Sequence, residues 1–227
     1  MKTSLQNTTD TGAPPQPMSS TKDVLMFDFD GVVVDSLDYF AGEFTSACVS
    51  RGYAQVGDET AFLRLFDVNL YAGMLQAGIP VEEINPILQV LERRMRDAPP
   101  RYGLFPGMHA ALNTLAQAAP VYIVTSNLSA PVSSYLAGAD VRGIRAVLGA
   151  EAERSKRVKI ENVCRAWPDR APYYVGDTLG DMLEAHAAGV SAVGVAWGWH
   201  GPERLAAGRP ERIVRNPWEL VQLFVSN

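Results

Sequence analysis

Cysteine and histidine are scarce in this chain of 227 residues, and their scarcity excludes two kinds of site. The two cysteines, Cys48 and Cys164, lie far apart in the sequence and show no spacing typical of a metal site or a redox pair, so we expect free thiols. The three histidines, His109, His186 and His200, are scattered over different segments. We interpret each histidine as a packing or surface residue rather than a metal ligand.

A surplus of basic residues is also missing, since 20 Lys and Arg stand against 25 Asp and Glu, a formal net charge of −5. Nucleic-acid binding depends on neutralising phosphates with basic side chains, so this balance argues against a nucleic-acid partner. No apolar run approaches the roughly 18 to 20 residues that a membrane span needs. Residues 1–21 also lack the apolar centre of a secretory signal. We therefore expect a cytoplasmic protein without a membrane partner.

The composition divides the chain into three parts. Residues 1–21 are rich in Ser, Thr, Gln and Pro, which predicts a flexible tail. Residues 22–36 and 105–227 alternate short apolar runs with helix-like stretches, a pattern typical of a parallel sheet flanked by helices. Residues 37–104 contain apolar side chains at helical spacing and no convincing strand, which predicts an inserted, all-helical cap. The expected fold class is α/β, a Rossmann-like core with this cap. The predicted strands are 24–27, 121–125, 146–148, 173–175, 192–196 and 212–214.

Polar residues follow three of the predicted strands. The first strand ends in Asp28 and Asp30, which fall on the same side because side chains alternate along a strand. The second ends in the sequence Thr-Ser-Asn at 125–127, and the fourth is followed by Asp177 and Asp181. Ligands of open parallel sheets bind beyond the carboxyl ends of the strands, so we expect these side chains to share one crevice.

Carboxylates gathered in this way favour a bound cation. Oxygen ligands without a His or Cys cluster suit a hard ion, and Mg²⁺ is the natural choice beside a phosphate. One carboxylate could attack phosphorus and form an acyl phosphate, while a second could protonate the leaving oxygen. A lysine after the third strand, Lys156 or Lys159, would balance the charge.

Four motifs, in order, make the chain resemble the haloacid dehalogenase superfamily, on its phosphatase side. They are DFDGVVVDS at 28–36, VTSN at 124–127, SKRVKI at 155–160 and GDTLGD at 176–181. The helical insertion and the segment GVAWGWHGPERL at 194–205 are similar to phosphoglycolate phosphatase-like proteins. The resemblance covers residues 23–227. It implies an enzyme that hydrolyses a small phosphorylated metabolite under a mobile cap.

The resemblance also implies roles for the acidic residues. Asp28 would be the nucleophile that carries the phosphoryl group, and Asp30 the general acid and base. Mg²⁺ would be bound by the side chains of Asp28 and Asp177 and by the main-chain carbonyl of Asp30. Asp181 would support the metal site. Taken alone, Asp181 could simply be an acidic residue favoured at a helix N-terminus.

The remaining roles concern the phosphate. Ser126 and Lys156 would hold the phosphoryl group, with Asn127 and Gly31 beside it, and Lys156 would also pair with Asp28. Taken alone, Ser126 could be a helix cap. The superfamily often has Pro after the third-motif lysine, whereas Arg157 stands here, so Lys159 remains a rival to Lys156.

Three other functions are compatible with parts of the pattern. A phosphomutase would share the motifs and pass the phosphoryl group to a sugar. A non-catalytic signalling module would bind phosphate without turnover, which the large cap and Asp30 disfavour. A dehalogenase would have no need of an acid at Asp30. The sequence leaves open which cap residues select the substrate and what the oligomeric state is.

Overall fold

The computed structural model of the chain describes residues 22–97 and 101–225, and it contains one six-stranded sheet. All paired strands are parallel, in the order β3-β2-β1-β4-β5-β6. This confirms the predicted fold class. The predicted tail, 1–21, lies outside the described residues. The strands are β1 (Asp23–Phe27), β2 (Val121–Val124), β3 (Ile144–Leu148), β4 (Ala171–Gly176), β5 (Ser191–Val195) and β6 (Arg212–Val214).

Helices surround the sheet and fill the interval between its first two strands. Those of the described residues are α1 (Leu37–Ser50), α2 (Glu59–Arg64), α3 (Leu70–Gln76), α4 (Val81–Asp97), α5 (Met108–Ala118), α6 (Ser129–Gly138), α7 (Lys156–Ala166), α8 (Leu179–Ala187), α9 (Pro202–Ala207) and α10 (Pro217–Val225). Among them, none combines the length and apolar character that crossing a membrane requires.

The central strand β1 explains why the sheet is covered on both faces. Leu25 and Phe27 belong to the apolar cluster formed with α5, α6 and α10. Val24 and Met26 belong to a second cluster, formed with α7, α8 and α9. Because neighbours in a strand point to opposite faces, an uninterrupted apolar run buries side chains in both helical layers.

The helices α1 to α4 have an apolar core of their own. It is built around Phe44, Phe62, Ile84 and Leu91, all buried, and it also receives Trp199 from the loop after β5. Four helices therefore stand where the sequence predicts an inserted cap, and we use that name for residues 37–97. That residues 37–104 form a separate cap domain, with borders at 37 and 104, stays a prediction.

The order of the strands fixes where a site can form. The chain runs outward from β1 through β2 to β3 and then returns to β4 on the other side of β1. The carboxyl ends of β1, β2 and β4 therefore meet where the direction of winding reverses, which is where open α/β sheets bind ligands. The turn after β1 also leads straight into α1, so the cap begins at the same edge.

Candidate active site

Three buried carboxylates meet at this edge of the sheet. Asp28 follows β1, Asp177 follows β4, and Asp181 lies in the first turn of α8. One oxygen from each lies within 4.8 Å of the other two. The structure thus brings Asp28, which follows the first strand, together with Asp177 and Asp181 of the motif that follows the fourth.

Lys156 is the cation of this cluster. Its Nζ donates to Asp28 Oδ2 at 2.6 Å and to Asp181 Oδ1 at 2.7 Å. Lys156 is the first residue of α7, which begins where the Ser155 side chain accepts from the backbone N–H of Val158. Lys159 lies three residues later, and its Nζ donates instead to the main-chain oxygen of Thr125 at 2.6 Å. Of the two candidates, Lys156 is the one in contact with the carboxylates.

Asp181 is held by a capping box at the start of α8. The Thr178 hydroxyl accepts from Asp181 N–H, and Asp181 Oδ2 accepts from the backbone N–H of Thr178. Its other oxygen accepts from Lys156 and from the Tyr174 hydroxyl, at 3.2 Å. Both oxygens of Asp181 are therefore occupied by protein donors, which suits a residue that positions its neighbours.

Asp177 differs from Asp181, because one of its two oxygens is left without a protein donor among the described residues. Its Oδ2 accepts from the backbone N–H of Trp199 at 2.8 Å, whereas its buried Oδ1 has no hydrogen-bond partner among the described residues. A buried carboxylate oxygen without a donor is costly unless a cation binds it. The donor set of oxygens, the cluster of three acids and this one open oxygen together fit a hard divalent ion such as Mg²⁺.

Burial dominates the electrostatics of the three acids. Burial raises the pKa of Asp28 to about 7, against the lowering effect of Lys156. Burial, reinforced by the charges of Asp181 and Asp28, raises the pKa of Asp177 well above its usual range. Burial also pushes the pKa of Asp181 upward, but Lys156 and Thr178 outweigh it and hold that pKa low. One lysine thus compensates Asp181 and part of Asp28, and it leaves Asp177 in need of positive charge.

Asp30 lies next to the three-acid cluster without joining it through its side chain. Its Oδ1 accepts from the Ser36 hydroxyl at 2.8 Å. Burial raises the pKa of Asp30, while Ser36, Lys156 and the Asn127 side chain oppose the rise. A carboxyl whose pKa lies above its usual range is suited to delivering a proton.

Gly31 allows the turn after β1 to approach the β4 loop closely. Its φ of +73° is left-handed, and a Cβ at this position would lie 2.0 Å from Asp177 Oδ2. Its N–H donates to Val34 O at 3.0 Å, which closes the turn toward α1. A residue without a side chain is therefore required for Asp177 to reach Asp28.

The segment after β2 presents two hydroxyls. Ser126, the sequence candidate, is exposed, while Thr125 is buried and its Oγ1 accepts from the N–H of Asn127 at 3.0 Å. The Asn127 side chain accepts from Leu128 N–H and interacts with Asp30. Thr125 is thus a second hydroxyl at this strand end that the sequence reasoning passed over, although it belongs to the same motif.

Sequence reasoning also missed the loop after β5. It quoted the segment 194–205 as part of the resemblance without assigning a role to Trp199, and it interpreted His200 as a packing or surface residue. His200 is buried, and its backbone N–H donates to Asp177 O at 3.1 Å. The nearby glycine Gly198 offered a signal, because a Cβ there would lie 2.2 Å from the Cβ of Asp177.

Comparisons with known proteins agree with this geometry. The family model of haloacid dehalogenase-like hydrolases matches residues 25–195. A phosphoglycolate phosphatase of Synechococcus elongatus is 28% identical over 202 residues, which cover 87% of this chain and 95% of that protein. A phosphoglycolate phosphatase of Photorhabdus laumondii is 25% identical, over 85% of this chain and 88% of that protein. The solved structure of a haloacid dehalogenase-like hydrolase from Streptococcus pneumoniae is similar in fold, with a TM-score of 0.74 at 22% identity, over 90% of this chain and 98% of that one.

Proposed function

The chain belongs to the haloacid dehalogenase-like hydrolases, as a phosphatase of that family, and we propose that it cleaves small phosphate monoesters through a phosphoaspartate at Asp28. One observation carries this proposal. The ammonium of Lys156 bridges Asp28 and Asp181 beside Asp177, at the point where the sheet reverses its winding. A carboxylate held between a cation and a metal-binding oxygen is equipped to attack an anionic phosphate.

The first step joins Asp28 to phosphorus. A carboxylate oxygen of Asp28 attacks, the bond between phosphorus and the ester oxygen breaks, and the proton of Asp30 goes to that oxygen. In the second step Asp30 takes a proton from water, whose oxygen attacks phosphorus and releases Asp28. The hydrogen bond from Ser36 keeps the Asp30 side chain in place for both transfers.

Mg²⁺ is the metal that we propose for the site. Asp28 and Asp177 would hold it, with the main-chain carbonyl of Asp30, while the fully bonded Asp181 would support the site through Lys156 and Thr178. When bound, Mg²⁺ screens the repulsion between Asp28 and the phosphate. The unpartnered Oδ1 of Asp177 is the feature of this chain that supports the assignment.

Phosphoryl oxygens would be held by Lys156, Ser126 and Asn127, with the turn at Gly31 facing them. Thr125 is a second candidate for the hydroxyl, since it is buried at the same strand end. Ser126→Ala and Thr125→Val separate the two. The hydroxyl that binds the phosphoryl group is the one whose loss lowers kcat/KM by about ten-fold or more, as expected for a charge-assisted hydrogen bond.

The substrate that we propose is a small, phosphoglycolate-like metabolite in the cytoplasm. Two relatives that align with most of this chain are phosphoglycolate phosphatases. The cap packs against the loop after β5 through Trp199, so it lies beside the site and would cover it on closing. A covered site favours small esters and excludes bulk water from the phosphoaspartate.

Phosphate release with Mg²⁺ across phosphorylated acids, sugars and nucleotides tests the proposal, with phosphoglycolate and p-nitrophenyl phosphate included. We expect steady multiple turnover by the parent and background release by Asp28→Asn. Asp35→Asn is the matched control, because it makes the same substitution at an exposed residue of the same turn and should retain turnover near the parent rate. Release by Asp28→Asn at the parent rate would show that Asp28 is not the nucleophile.

The same panel distinguishes the other functions. An isomerised sugar phosphate without free phosphate would identify a phosphomutase. Tight binding of phosphate esters without turnover would identify a signalling module. The raised pKa of Asp30 favours the phosphatase over the module, because an acid for the leaving oxygen serves only turnover.

A further inference from the structure

The loop after β5 touches both the metal-binding carboxylate and the cap. We call residues 198–201 the docking loop. On the sheet side, the backbone N–H groups of Trp199 and His200 donate to Asp177, the first to Oδ2 at 2.8 Å and the second to the main-chain oxygen at 3.1 Å. The docking loop therefore fixes both the backbone and the side chain of Asp177.

The side chains of the same two residues reach in the other direction, into the cap. The Trp199 ring lies 4.8 Å from the ring of Phe66 and 5.7 Å from that of Phe62, measured between centroids. His200 Nε2 lies 2.9 Å from the main-chain oxygen of Leu63. All three cap residues lie in the segment 59–67, which consists of α2 and the 3-10 turn Leu65–Asp67. We call this segment the cap corner.

His200 joins the two sides through its ring. Its Nδ1 accepts from the backbone N–H of Leu179, two residues after Asp177, so the proton of the neutral ring is on Nε2. Nε2 therefore donates to Leu63 O in the cap corner. The imidazole is 1% exposed, and both of its nitrogens are committed to backbone groups.

The cap corner and the residue after it, Val68, pack closely on the start of α8. A Cβ on Gly180, in the first turn of α8, would lie 2.4 Å from Val68 O and 2.9 Å from Phe66 O. Because Trp199 and His200 contact the cap corner directly, a movement of the cap corner away from α8 would break the ring contacts of Trp199 and the hydrogen bond of His200. Those are the residues whose backbone groups hold Asp177.

We propose that His200 is a positioning residue that couples docking of the cap corner to the order of Asp177, a proposal that rests on Mg²⁺ binding at the site described above. A metal ion that fixes Asp177 then also fixes the docking loop, and through it the cap corner. The coupling is reciprocal, so a docked cap must strengthen metal binding by the same factor. In this arrangement, docking of the cap corner and binding of the metal favour each other.

Amide hydrogen exchange of the full chain, with and without Mg²⁺, tests the coupling and needs no substrate. In the parent, Mg²⁺ should slow exchange in residues 59–67 by at least about five-fold, the lower end of measured couplings. Two variants each cut one bond of the ring. His200→Asn retains an acceptor near Leu179 N–H and loses the donor to Leu63, whereas His200→Gln retains that donor and loses the acceptor. In both, the slowing by Mg²⁺ should fall below about two-fold.

Arg204→Gln is the matched control. Arg204 lies in α9, outside the docking loop, and donates to Asp67 Oδ1 at 2.6 Å in the cap corner. Its loss should speed exchange of the cap corner equally with and without Mg²⁺ and leave the slowing by Mg²⁺ intact. The loss of any residue that only stabilises the cap should likewise leave the slowing by Mg²⁺ intact. A smaller slowing in the His200 variants than in Arg204→Gln is therefore the sign of coupling.

Three results would overturn the proposal. The first is a parent that binds Mg²⁺ by calorimetry yet shows no slowing in residues 59–67, a measurement that needs no variant to fold. The second is a full slowing by Mg²⁺ in both His200 variants. The third is a parent that binds no Mg²⁺ at all, which would also contradict the metal site. Absence of phosphate release with the slowing intact would instead contradict only the proposed phosphatase function.

Discussion

Asp181 and Asp177 are equally buried, yet replacing each with Asn should affect stability in opposite directions. Asp181 accepts from Lys156, Thr178 and Tyr174, so its two oxygens are saturated with donors. An Asn side chain must turn its NH₂ group toward one set of these donors, and it removes a charge that faces Lys156. Asp177 faces other carboxylates and has one oxygen without a partner, so Asn relieves repulsion there.

The magnitude for Asp181→Asn follows from breaking a buried ion pair, which costs about 3–5 kcal/mol when one partner is removed. Lys156 keeps Asp28, so we expect the lower end, about 3 kcal/mol. With a urea m-value of about 2–3 kcal/mol/M, the unfolding midpoint should fall by about 1–1.5 M. Asp177→Asn should leave the midpoint in EDTA unchanged or raise it.

Urea unfolding of the two variants and the parent, in EDTA and in Mg²⁺, measures both effects. Saturating Mg²⁺ should raise the parent midpoint, since a ligand at 100 times its Kd contributes about 2.7 kcal/mol. Asp177→Asn should lose most of that gain. Equal losses of stability in EDTA for both variants would refute the assignment of Asp181 as a bonded support and Asp177 as the open ligand.

Three further predictions concern residues around the site. Gly31→Ala should weaken Mg²⁺ binding in calorimetry by at least about ten-fold, because the new Cβ would lie 2.0 Å from Asp177 Oδ2, and unchanged affinity would contradict the close approach. Burial lowers the pKa of Lys159 to about 8, so the folded chain binds fewer protons than the unfolded chain above that pH. From about pH 7.5 to about pH 10, the free energy of unfolding of the parent should therefore rise by up to about 3 kcal/mol relative to that of Lys159→Met. Urea unfolding at both pH values measures this change, and a fall would contradict the lowered pKa. Burial also raises the pKa of the Cys48 thiol to about 12, so Ellman's reagent should label Cys164 in the native protein, and rapid labelling of Cys48 would count against its burial.

The central features of the fold could be predicted from local sequence. The continuous apolar run before Asp28 predicted a strand covered on both faces, and β1 is that strand. Asp181 three residues after Thr178 is the spacing of a capping box, and α8 begins with one. Strand borders are harder to predict, because exposed residues at the start of a strand interrupt the apolar run, as at Ala171 in β4. β3 begins at Ile144, two residues before the predicted start, and includes the exposed Arg145.

The contacts across the site could not be predicted in the same way. The sequence places acidic residues at strand ends, but only the packed chain distinguishes Lys156 from Lys159, because the two differ by less than one helical turn. His200 is isolated in the sequence, and its partners, Leu179 and Leu63, use backbone groups that leave no trace in residue types. Main-chain donors and acceptors of this kind become visible only when distant segments are brought together.

The most direct test of the account is to look for phosphate on Asp28 itself. Acid quenching of the parent during turnover of p-nitrophenyl phosphate with Mg²⁺, followed by peptic digestion at low pH, where an acyl phosphate survives, should yield phosphate on a peptide that contains Asp28. Mass spectrometry should place it on Asp28 and find none in Asp28→Asn. Steady phosphate release by the parent without any phosphorylated peptide, or the same peptide phosphorylated in Asp28→Asn, would contradict the claim that Asp28 is the nucleophile.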